Sequence, residues 1–453
     1  MKEEFLHFIW KYSLYHKDRL VTSSGDAVEV IHPGFYNRDS GPDFFNALIR
    51  YGGTLWAGNV EIHTKASNFC LHGHNHDHAY DNVILHVVAV NDRKVFNAAG
   101  RELPAAVISF DETIYEKYIN LVNNPHAIAC HDEAGNIDRF LMRQWISALV
   151  VERLESRYAT IRKMLYDTGN DWEEVFYRMI SRYFGFRVNA EPFEMLASTI
   201  PFRIIRKHLG NRLQVEALLF GTAGLLTEGL FREAINDRYF IELSREYRVL
   251  ASKYSLKPVH GWLWKFSRLR PVNFPTIRIS QLAAMLAVTG GLFSRVTETR
   301  DIKTLRGVFD VEASEYWNTH YVFGKESSFS RKCTGESAAD ILIINSVTPI
   351  LFTYGKVKDN NDYCIRAIDF LEATTPEENR IIKDWEEAGV KACSALDTQG
   401  LLHLRNEYCR KRRCLDCRIG GKLISKGIAM KDEEELTLEP HVMLKANYGK
   451  QSE

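Results

Sequence analysis

The sequence lacks an excess of charge of either sign. Its 453 residues hold 58 Lys and Arg against 58 Asp and Glu, so the formal net charge is zero. A balance of this kind gives by itself no indication of a nucleic-acid partner. Any basic surface must therefore come from an uneven distribution of charge along the chain.

Three short motifs that mark common enzyme classes are also missing. The chain contains no Gly-x-x-x-x-Gly-Lys-Ser/Thr phosphate loop, no Gly-x-Gly-x-x-Gly fingerprint and no Gly-x-Ser-x-Gly elbow. Their absence argues against P-loop ATPases, dinucleotide-dependent enzymes and serine hydrolases of the α/β type.

Long hydrophobic runs are absent as well. A membrane helix needs about 20 consecutive apolar residues, and the longest apolar stretches, 281–293 and 341–354, are shorter and interrupted. The first residues, Met1-Lys2-Glu3-Glu4, carry acids where a secretory signal would be basic. We therefore expect a cytoplasmic protein.

What the sequence does contain is a strand with a polar face behind a Gly-Pro-Asp turn. Gly41-Pro42-Asp43 precedes one extended segment, and Gly52-Gly53 predicts a hairpin turn into a second. Because side chains alternate along a strand, Glu61, His63 and Lys65 share one face of that second segment. The hairpin would bring Asp43 near Glu61, and two carboxylates predict a site for Mg²⁺ or Mn²⁺.

Pro42-Asp43, a gap, and then Glu61-x-His63 with Lys65 beyond resembles the signature of the PD-(D/E)XK, or restriction-endonuclease-like, nuclease superfamily. The resemblance implies that Asp43 and Glu61 hold the metal and that a Lys two residues after the Glu orients the attacking water. The sequence departs from that pattern, because His63 stands at the Lys position and Lys65 follows two residues later. The resemblance also makes Glu4, on a predicted first helix, a further candidate, although a solvated first-turn Glu is the simpler interpretation.

A wider resemblance runs along most of the chain. The sequence is similar to an uncharacterised bacterial family known only as a domain of unknown function. The similarity is carried by the segment from His32-Pro33-Gly34 through Leu85-His86-Val87-Val88, by Asn273-Phe274-Pro275 and by the cysteine-rich C-terminal part. This resemblance implies a family without implying an activity.

Histidine is concentrated just after the polar strand. Six of the sixteen histidines fall between residues 63 and 86, four of them in the run from His72 to His78. Imidazole is a common ligand of transition metals. The same alternation with Gly and Asn is typical of an exposed polar loop, so a loop, an active-site wall and a dedicated transition-metal site all stay open.

The remaining pattern predicts the fold class. Residues 2–15 have helical spacing, 83–90 form a continuous β-branched run typical of a buried central strand, and 93–97 and 103–110 suggest further strands. From about 136 the period becomes helical, with helix starts predicted at Asp171 and at Thr375-Pro376. We expect a nuclease-like α/β module with a mixed sheet over 1–135, a basic helical domain over 136–345, and a helical C-terminal region over 346–453.

Charge is unevenly distributed among these parts. Residues 141–300 hold 24 basic against 15 acidic side chains, an excess of nine, whereas residues 1–140 hold 12 against 18, a deficit of six. A basic helical part beside an acidic metal-binding module suits a phosphodiester substrate, so nucleic acid is the expected partner. Solvated Arg on helix faces would give the same count.

The chain's eight cysteines include one tight group. Cys409, Cys414 and Cys417 follow a Cys-x4-Cys-x2-Cys spacing, and Cys393 lies upstream as a fourth candidate ligand. Four such thiols match a structural zinc site or an iron–sulfur cluster. Reduced thiols beside a basic loop are the alternative, since a core of this size needs no disulfides.

Three functions follow from these patterns. The first is a metal-dependent nuclease, in which Asp43 and Glu61 hold Mg²⁺ or Mn²⁺ and His63 or Lys65 positions the attacking water. The second is a non-catalytic nucleic-acid-binding or assembly protein on the same fold. The third is a metalloenzyme for a small molecule, built on His72, His74 and His76. The sequence leaves DNA against RNA undecided.

Overall fold

A computed structural model describes residues 1–288 and 291–427. The chain divides into two compact units, each made of more than one segment. Within the described residues, unit 1 comprises 1–145, 383–390 and 403–427, and unit 2 comprises 146–382 and 391–402. These boundaries differ from the three consecutive segments expected from sequence, because the last helical part of the chain returns to the unit that holds the first.

Unit 1 is organised around a six-stranded mixed sheet, as the sequence predicted. Its strand order is β1-β3-β4-β5-β6, with β2 paired to the side of β3. The pairs among β1 to β4 are antiparallel, whereas β4 with β5 and β5 with β6 are parallel. The strands are β1 Glu29–His32, β2 Phe35–Tyr36, β3 Phe44–Tyr51, β4 Thr54–Lys65, β5 Val83–Val90 and β6 Ala105–Val107.

The hairpin between β3 and β4 forms at the predicted glycines. Tyr51 pairs with Thr54, and Gly52 and Gly53 take positive φ values of 55° and 72°. Two successive left-handed residues give a turn whose twist matches that of the flanking strands. The turn therefore sets the register that places the start of β3 against the middle of β4.

The middle of β4 is buried on both faces. Val60 to His63 are all buried, and the neighbouring β5 is buried from Val83 to Val88. Gly58 allows β4 to approach β5 closely, since a Cβ there would lie 2.4 Å from Ile84 Cγ2. Polar residues of β4 thus sit inside the unit rather than on a solvated face.

The helices of unit 1 are mostly short. The crossover from β4 to β5 contains only a single-turn α-helix and two 3₁₀ turns, His74–His76 and His78–Tyr80. The α-helices of this unit are α1 Glu3–Lys11, α2 Asn68–Leu71, α3 Glu112–Asn123, α4 His131–Ala134 and, late in the chain, α19 Arg418–Ile424, which follows a π-helical turn at Leu404–Cys409.

Unit 2 is mostly helical, again as predicted, with one small hairpin of β7 His320–Val322 and β8 Lys325–Glu326. The long α5 passes from unit 1 into unit 2, and α17 passes from unit 2 back into unit 1 after Ile382. The helices that lie wholly or partly in unit 2 are α5 Arg139–Asp167, α6 Trp172–Phe184, α7 Ala190–Thr199, α8 Phe202–Ile205, α9 Arg212–Thr222, α10 Arg238–Tyr254, α11 Pro275–Val288, α12 Leu292–Glu298, α13 Ile302–Phe309, α14 Glu336–Leu342, α15 Thr348–Lys358, α16 Asn361–Ala373, α17 Arg380–Glu387 and α18 Ala395–His403.

Two predicted helix starts have different outcomes. Asp171 accepts a hydrogen bond from the backbone N–H of Glu174 and caps α6, so that prediction is confirmed. The start at Thr375-Pro376 is wrong, because α17 begins at Arg380, where Asn379 accepts from the N–H of Ile382 over 3.1 Å. The side-chain oxygen of Asn379 therefore caps the helix, and the Thr375-Pro376 pair does not.

The strands predicted at 93–97 and 103–110 are largely wrong. Only Ala105–Val107 forms a strand, and Phe96 makes an isolated bridge with Glu102. The local turn at Gly100 folds this segment back on itself, which leaves too few residues for a longer ladder.

One helical stretch among the described residues, Glu336–Lys358, is long and apolar enough to cross a membrane, and 83% of its apolar window is buried inside the structure. A core helix of a soluble protein passes the same test. Pro275–Ala287 with Leu292–Glu298 passes only as a bent pair.

Candidate metal centre

The structure brings Asp43 and Glu61 together where β3 begins. The backbone N–H of Asp43 donates to Glu61 Oε2 over 3.1 Å. In return, Asp43 Oδ2 accepts from the backbone N–H of Ile62 over 2.9 Å. Each carboxylate thus fastens the opposite strand, so the separation of the two acids is fixed by the sheet.

The loop before Asp43 is ordered by a side-chain amide. The Nδ2 of Asn37 lies within hydrogen-bonding distance of the carbonyl oxygens of Asp39, Ser40 and Pro42, at 3.0 to 3.2 Å. Gly41 has a φ of 101°, a backbone conformation that a residue with a side chain would adopt only under strain. This turn delivers Asp43 to the sheet in one orientation.

Three histidines gather beside Glu61. The ring nitrogens His63 Nε2 and His72 Nδ1 are 3.1 Å apart, and Glu61 Oε1 is 3.3 Å from His74 Nε2. One nitrogen from each of His63, His72 and His74 lies within 4.8 Å of the others. The loop after β4 therefore folds back over the polar face of the strand. Of the three histidines, His72 is the one exposed to solvent.

Helix α1 contributes two side chains that sequence reasoning missed. His7 Nε2 is 3.3 Å from Asp43 Oδ2, and Glu3 Oε1 accepts from the backbone N–H of Thr64 over 3.3 Å. Glu4, the residue considered from sequence, is exposed. The spacing of Glu3 and His7, four residues apart, was the available signal, since it places both on one helix face.

Aromatic rings hold the histidines in place. Tyr80 stacks on His74 with 3.9 Å between ring centroids, and Phe69 packs against the edges or faces of His63, His74 and His86. Tyr80 and Phe69 belong to a buried apolar cluster beneath the loop. The imidazoles are therefore positioned by packing as well as by hydrogen bonds.

Burial controls the charge of Glu61. The residue is 4% exposed, and burial, followed by the neighbouring charge of Asp43, raises its pKa to about 9. At neutral pH and without a cation, its carboxyl carries a proton. A carboxyl in this state ionises readily once a positive charge arrives beside it.

The inner histidines are held neutral. Burial, and then the neighbouring His86, His72 and His74, lower the pKa of His63 to about 2, and burial lowers that of His86 to about 4. His63 Nδ1 lies 3.0 Å from His86 Nε2, while the other nitrogen of His86 has no hydrogen-bond partner. Neutral imidazole is the form that ligates metals.

Two further predicted residues lie apart from this group. Lys65 is exposed at the end of β4. After the hydrogen bonds from Ser67, its charge helps to lower the pKa of Asp92. His76 is exposed and bonds to the amide of Asn75. Of the two residues compared with the Lys of the nuclease signature, His63 lies beside Glu61 and Lys65 does not.

The predicted cysteine group is only partly assembled. Cys409, Cys414 and Cys417 are buried and line one pocket of unit 1, but Cys393 is exposed and belongs to unit 2. The fourth thiol on that pocket is Cys130, which sequence reasoning passed over because nothing in its local spacing connects it to the other three.

A family model described as "Protein of unknown function (DUF2851)" matches residues 3–380. No curated protein and no solved structure matches the chain.

Proposed function

Because the chain belongs to the DUF2851 family of proteins of unknown function, as its sequence led us to expect, we propose a function from the site itself: a metal-dependent nuclease. The observation that carries the proposal is the pairing of Asp43 and Glu61, fastened to each other's strands, beside three histidines whose ring nitrogens lie within 4.8 Å of one another. Glu61 joins the two groups, since its Oε1 is 3.3 Å from His74 Nε2. Carboxylates and imidazoles arranged in this way form a ligand set for a divalent cation.

The arrangement of elements around the site supports the restriction-endonuclease-like part of the proposal. A first helix, the antiparallel pair β3 and β4, and a parallel β5 reached by a crossover follow one another in the chain. The two acids occupy the start of one hairpin strand and the middle of the next, as the superfamily signature requires.

The donor set selects among metals. Mg²⁺ strongly prefers oxygen ligands, whereas imidazole nitrogen suits later transition metals, and Mn²⁺ is compatible with the carboxylates. Asp43 and Glu61 supply oxygen, and His63, His72 and His74 supply nitrogen, so we expect Mn²⁺ to be bound more tightly than Mg²⁺. When bound, such an ion polarises the phosphodiester and lowers the pKa of its water.

The chain's own residues have distinct tasks in this scheme. Glu61 gives up its proton when it becomes a ligand. His63 is clamped between His72 and His86, so it orients groups at the centre without rotating. His72 is exposed, and it is therefore the imidazole that a water or a phosphate from solvent reaches first.

The substrate class follows from charge and exposure. The Asp43 side chain remains 21% exposed, so an extended phosphodiester chain can approach the site from outside. The nine extra positive charges of residues 141–300 would favour a polyanion. We propose nucleic acid as the substrate, with DNA and RNA to be distinguished by assay.

The test uses the full chain stripped of metal with a chelator. Labelled single-stranded DNA, double-stranded DNA and RNA are incubated with Mn²⁺ or Mg²⁺ and with wild type, Glu61→Gln, Asp43→Asn or the exposed-carboxylate control Asp92→Asn. We expect cleavage that falls by about 100-fold or more in the first two variants and persists in the control. Undiminished cleavage by Glu61→Gln would overturn the site.

The same assay compares the two residues proposed to stand in for the superfamily Lys. His63→Ala should reduce cleavage more than Lys65→Ala, because His63 is buried at the centre and Lys65 is exposed at the strand end. A larger loss in Lys65→Ala would show that Lys65 has the water-positioning role.

One observation favours a second candidate, a non-catalytic nucleic-acid-binding protein. The position that carries Lys in active members of the superfamily holds His63, and both of its ring nitrogens already face other histidines. This candidate predicts binding that weakens steeply with salt and no cleavage with either ion.

A further inference from the structure

Four buried cysteines of unit 1 surround one pocket. Cys130, Cys409, Cys414 and Cys417 all line one small pocket that opens to solvent. All four are free thiols, and each is at most 9% exposed. Packing alone does not require four reduced thiols at one place, and thiolates in this number are the ligands of structural zinc and of iron–sulfur clusters.

The protein backbone is built to bring these thiols together. Arg412, between Cys409 and Cys414, has a φ of 53° and donates through Nη2 to the carbonyl oxygens of Asn124 and His126. This fastens the loop of the last three cysteines to the segment that leads to Cys130. The two parts of the pocket are therefore held at a fixed distance by contacts that do not involve sulfur.

Close packing at Gly420 completes the wall. A Cβ on Gly420 would lie 2.1 Å from the carbonyl oxygen of Cys414, so no larger residue fits there. The backbone N–H groups of Ile419 and Gly420 face the Cys417 sulfur. Amide donors around a ligating thiolate are a common feature of iron–sulfur sites, where they tune the cluster.

Polar donors lie close to the cysteines. The indole N–H of Trp145, a residue that is 7% exposed, is directed at the Cys417 sulfur. Arg412 Nη1 and Arg405 Nε are buried without hydrogen-bond partners, and the charge of Arg405 acts on Cys409 and that of Arg412 on Cys414. Positive charge and N–H donors beside the thiols favour their ligating thiolate form.

The four sulfurs as a group are spaced more widely than the four thiolates of one zinc ion. Four thiolates on one tetrahedral zinc, with Zn–S of about 2.3 Å, lie about 3.8 Å from one another. Among the residues that the structure describes, no three of these four sulfurs come within 4.8 Å of one another. A cluster of several irons separates its four thiolates further than a single ion does.

We propose that Cys130, Cys409, Cys414 and Cys417 bind an iron–sulfur cluster of the four-cysteine type in unit 1. Its role is structural, because it joins the segment after α3 to the segment before α19. The proposal is independent of the nuclease function. It also replaces the fourth ligand expected from sequence, Cys393, with Cys130.

The experiment is to purify the full chain without oxygen and to measure iron, acid-labile sulfide and zinc per chain in wild type, Cys130→Ser and the matched control Cys393→Ser. We expect iron and acid-labile sulfide in equal amounts, two or four of each per chain, in wild type and in Cys393→Ser, and less than half of that in Cys130→Ser. One zinc without iron, no metal at all, or loss of iron in Cys393→Ser would each overturn the assignment.

A measurement on wild type alone covers the case in which Cys130→Ser fails to fold. Iron K-edge absorption of the purified protein should show a first shell of sulfur and a second shell of iron. A first shell of nitrogen and oxygen would place the iron elsewhere, for example at the histidines, and would contradict the proposal.

Discussion

Replacing Glu61 by Gln should make the metal-free protein more stable. The same substitution should weaken metal binding. In the folded protein, burial and the charge of Asp43 hold the pKa of Glu61 at about 9, against a value of 4.5 in an unfolded chain. Gln has the same shape and no proton to lose. Its carbonyl oxygen can accept from the Asp43 N–H, and its amide can donate to His74 Nε2, 3.3 Å from the present Glu61 Oε1.

The size and sign of the effect follow from linkage. A raised carboxyl pKa means that the folded state binds the proton more tightly, so the stability of wild type falls as pH rises from 4.5 towards 9. Each pH unit costs about 1.4 kcal/mol, which gives a penalty of about 3 kcal/mol at pH 7 and under about 1 kcal/mol at pH 5. Glu61→Gln should therefore be about 3 kcal/mol more stable than wild type at pH 7 and nearly equal at pH 5.

The assay is urea unfolding with chelator present, followed by hydrogen exchange of peptides from β4 and β5 so that only unit 1 is reported. Glu29→Gln is the control, because Glu29 is exposed and pairs with Arg50, and its removal should change stability by less than about 1 kcal/mol at either pH. A Glu61→Gln protein that is no more stable than wild type at pH 7, or equally stabilised at pH 5 and pH 7, would refute the reasoning.

Three further predictions concern other parts of the molecule. Acidifying the metal-free Glu61→Gln protein, which lacks the opposing titration of Glu61, from pH 6.5 to pH 4 should destabilise unit 1. His86 is held neutral with a lowered pKa of about 4 and takes up a proton more readily on unfolding, so this one group contributes about 3 kcal/mol, measurable by urea unfolding across that range. Gly58→Ala should cost about 1–3 kcal/mol by pushing β4 away from Ile84 Cγ2, whereas Gly307→Ala, with open space around it, should be neutral or stabilising in thermal unfolding. In unit 2, Asp340→Asn should lower the free energy of unfolding by about 3 kcal/mol, since Arg306 bonds to both oxygens of this buried carboxylate. The control Asp362→Asn, in an exposed ion pair, should lower it by under about 1 kcal/mol. Equal losses of stability in denaturant unfolding would contradict this reasoning from burial.

The elements that the sequence predicted well are those whose cause is local. Gly52-Gly53 needs only its own backbone freedom to turn, and the β-branched run at 83–90 needs only a place inside a sheet. The alternation of Asn59, Glu61 and His63 was also readable. Burial of both faces of β4 was not, because it depends on α1 and on the loop that covers the strand.

The parts of the site that sequence reasoning missed come from contacts between distant segments. Glu3 and His7 reach the centre because α1 packs across β4, and Cys130 reaches the other three cysteines because the last segment returns to unit 1. Local spacing carries no trace of such pairings. Cys393 looked suitable because it was near in the chain, yet nearness in the chain does not decide which thiols share a pocket.

The interrupted order of unit 1 has a consequence for the newly made chain. On the ribosome, the sheet and its acids emerge first, and α19 and the last cysteines emerge only after all of unit 2. Domains usually fold as they emerge, from the N-terminal end. Here the unit whose synthesis begins first is completed last. A nascent chain can therefore carry a folded unit 2 before Cys409, Cys414 and Cys417 have been synthesised to complete the pocket at Cys130.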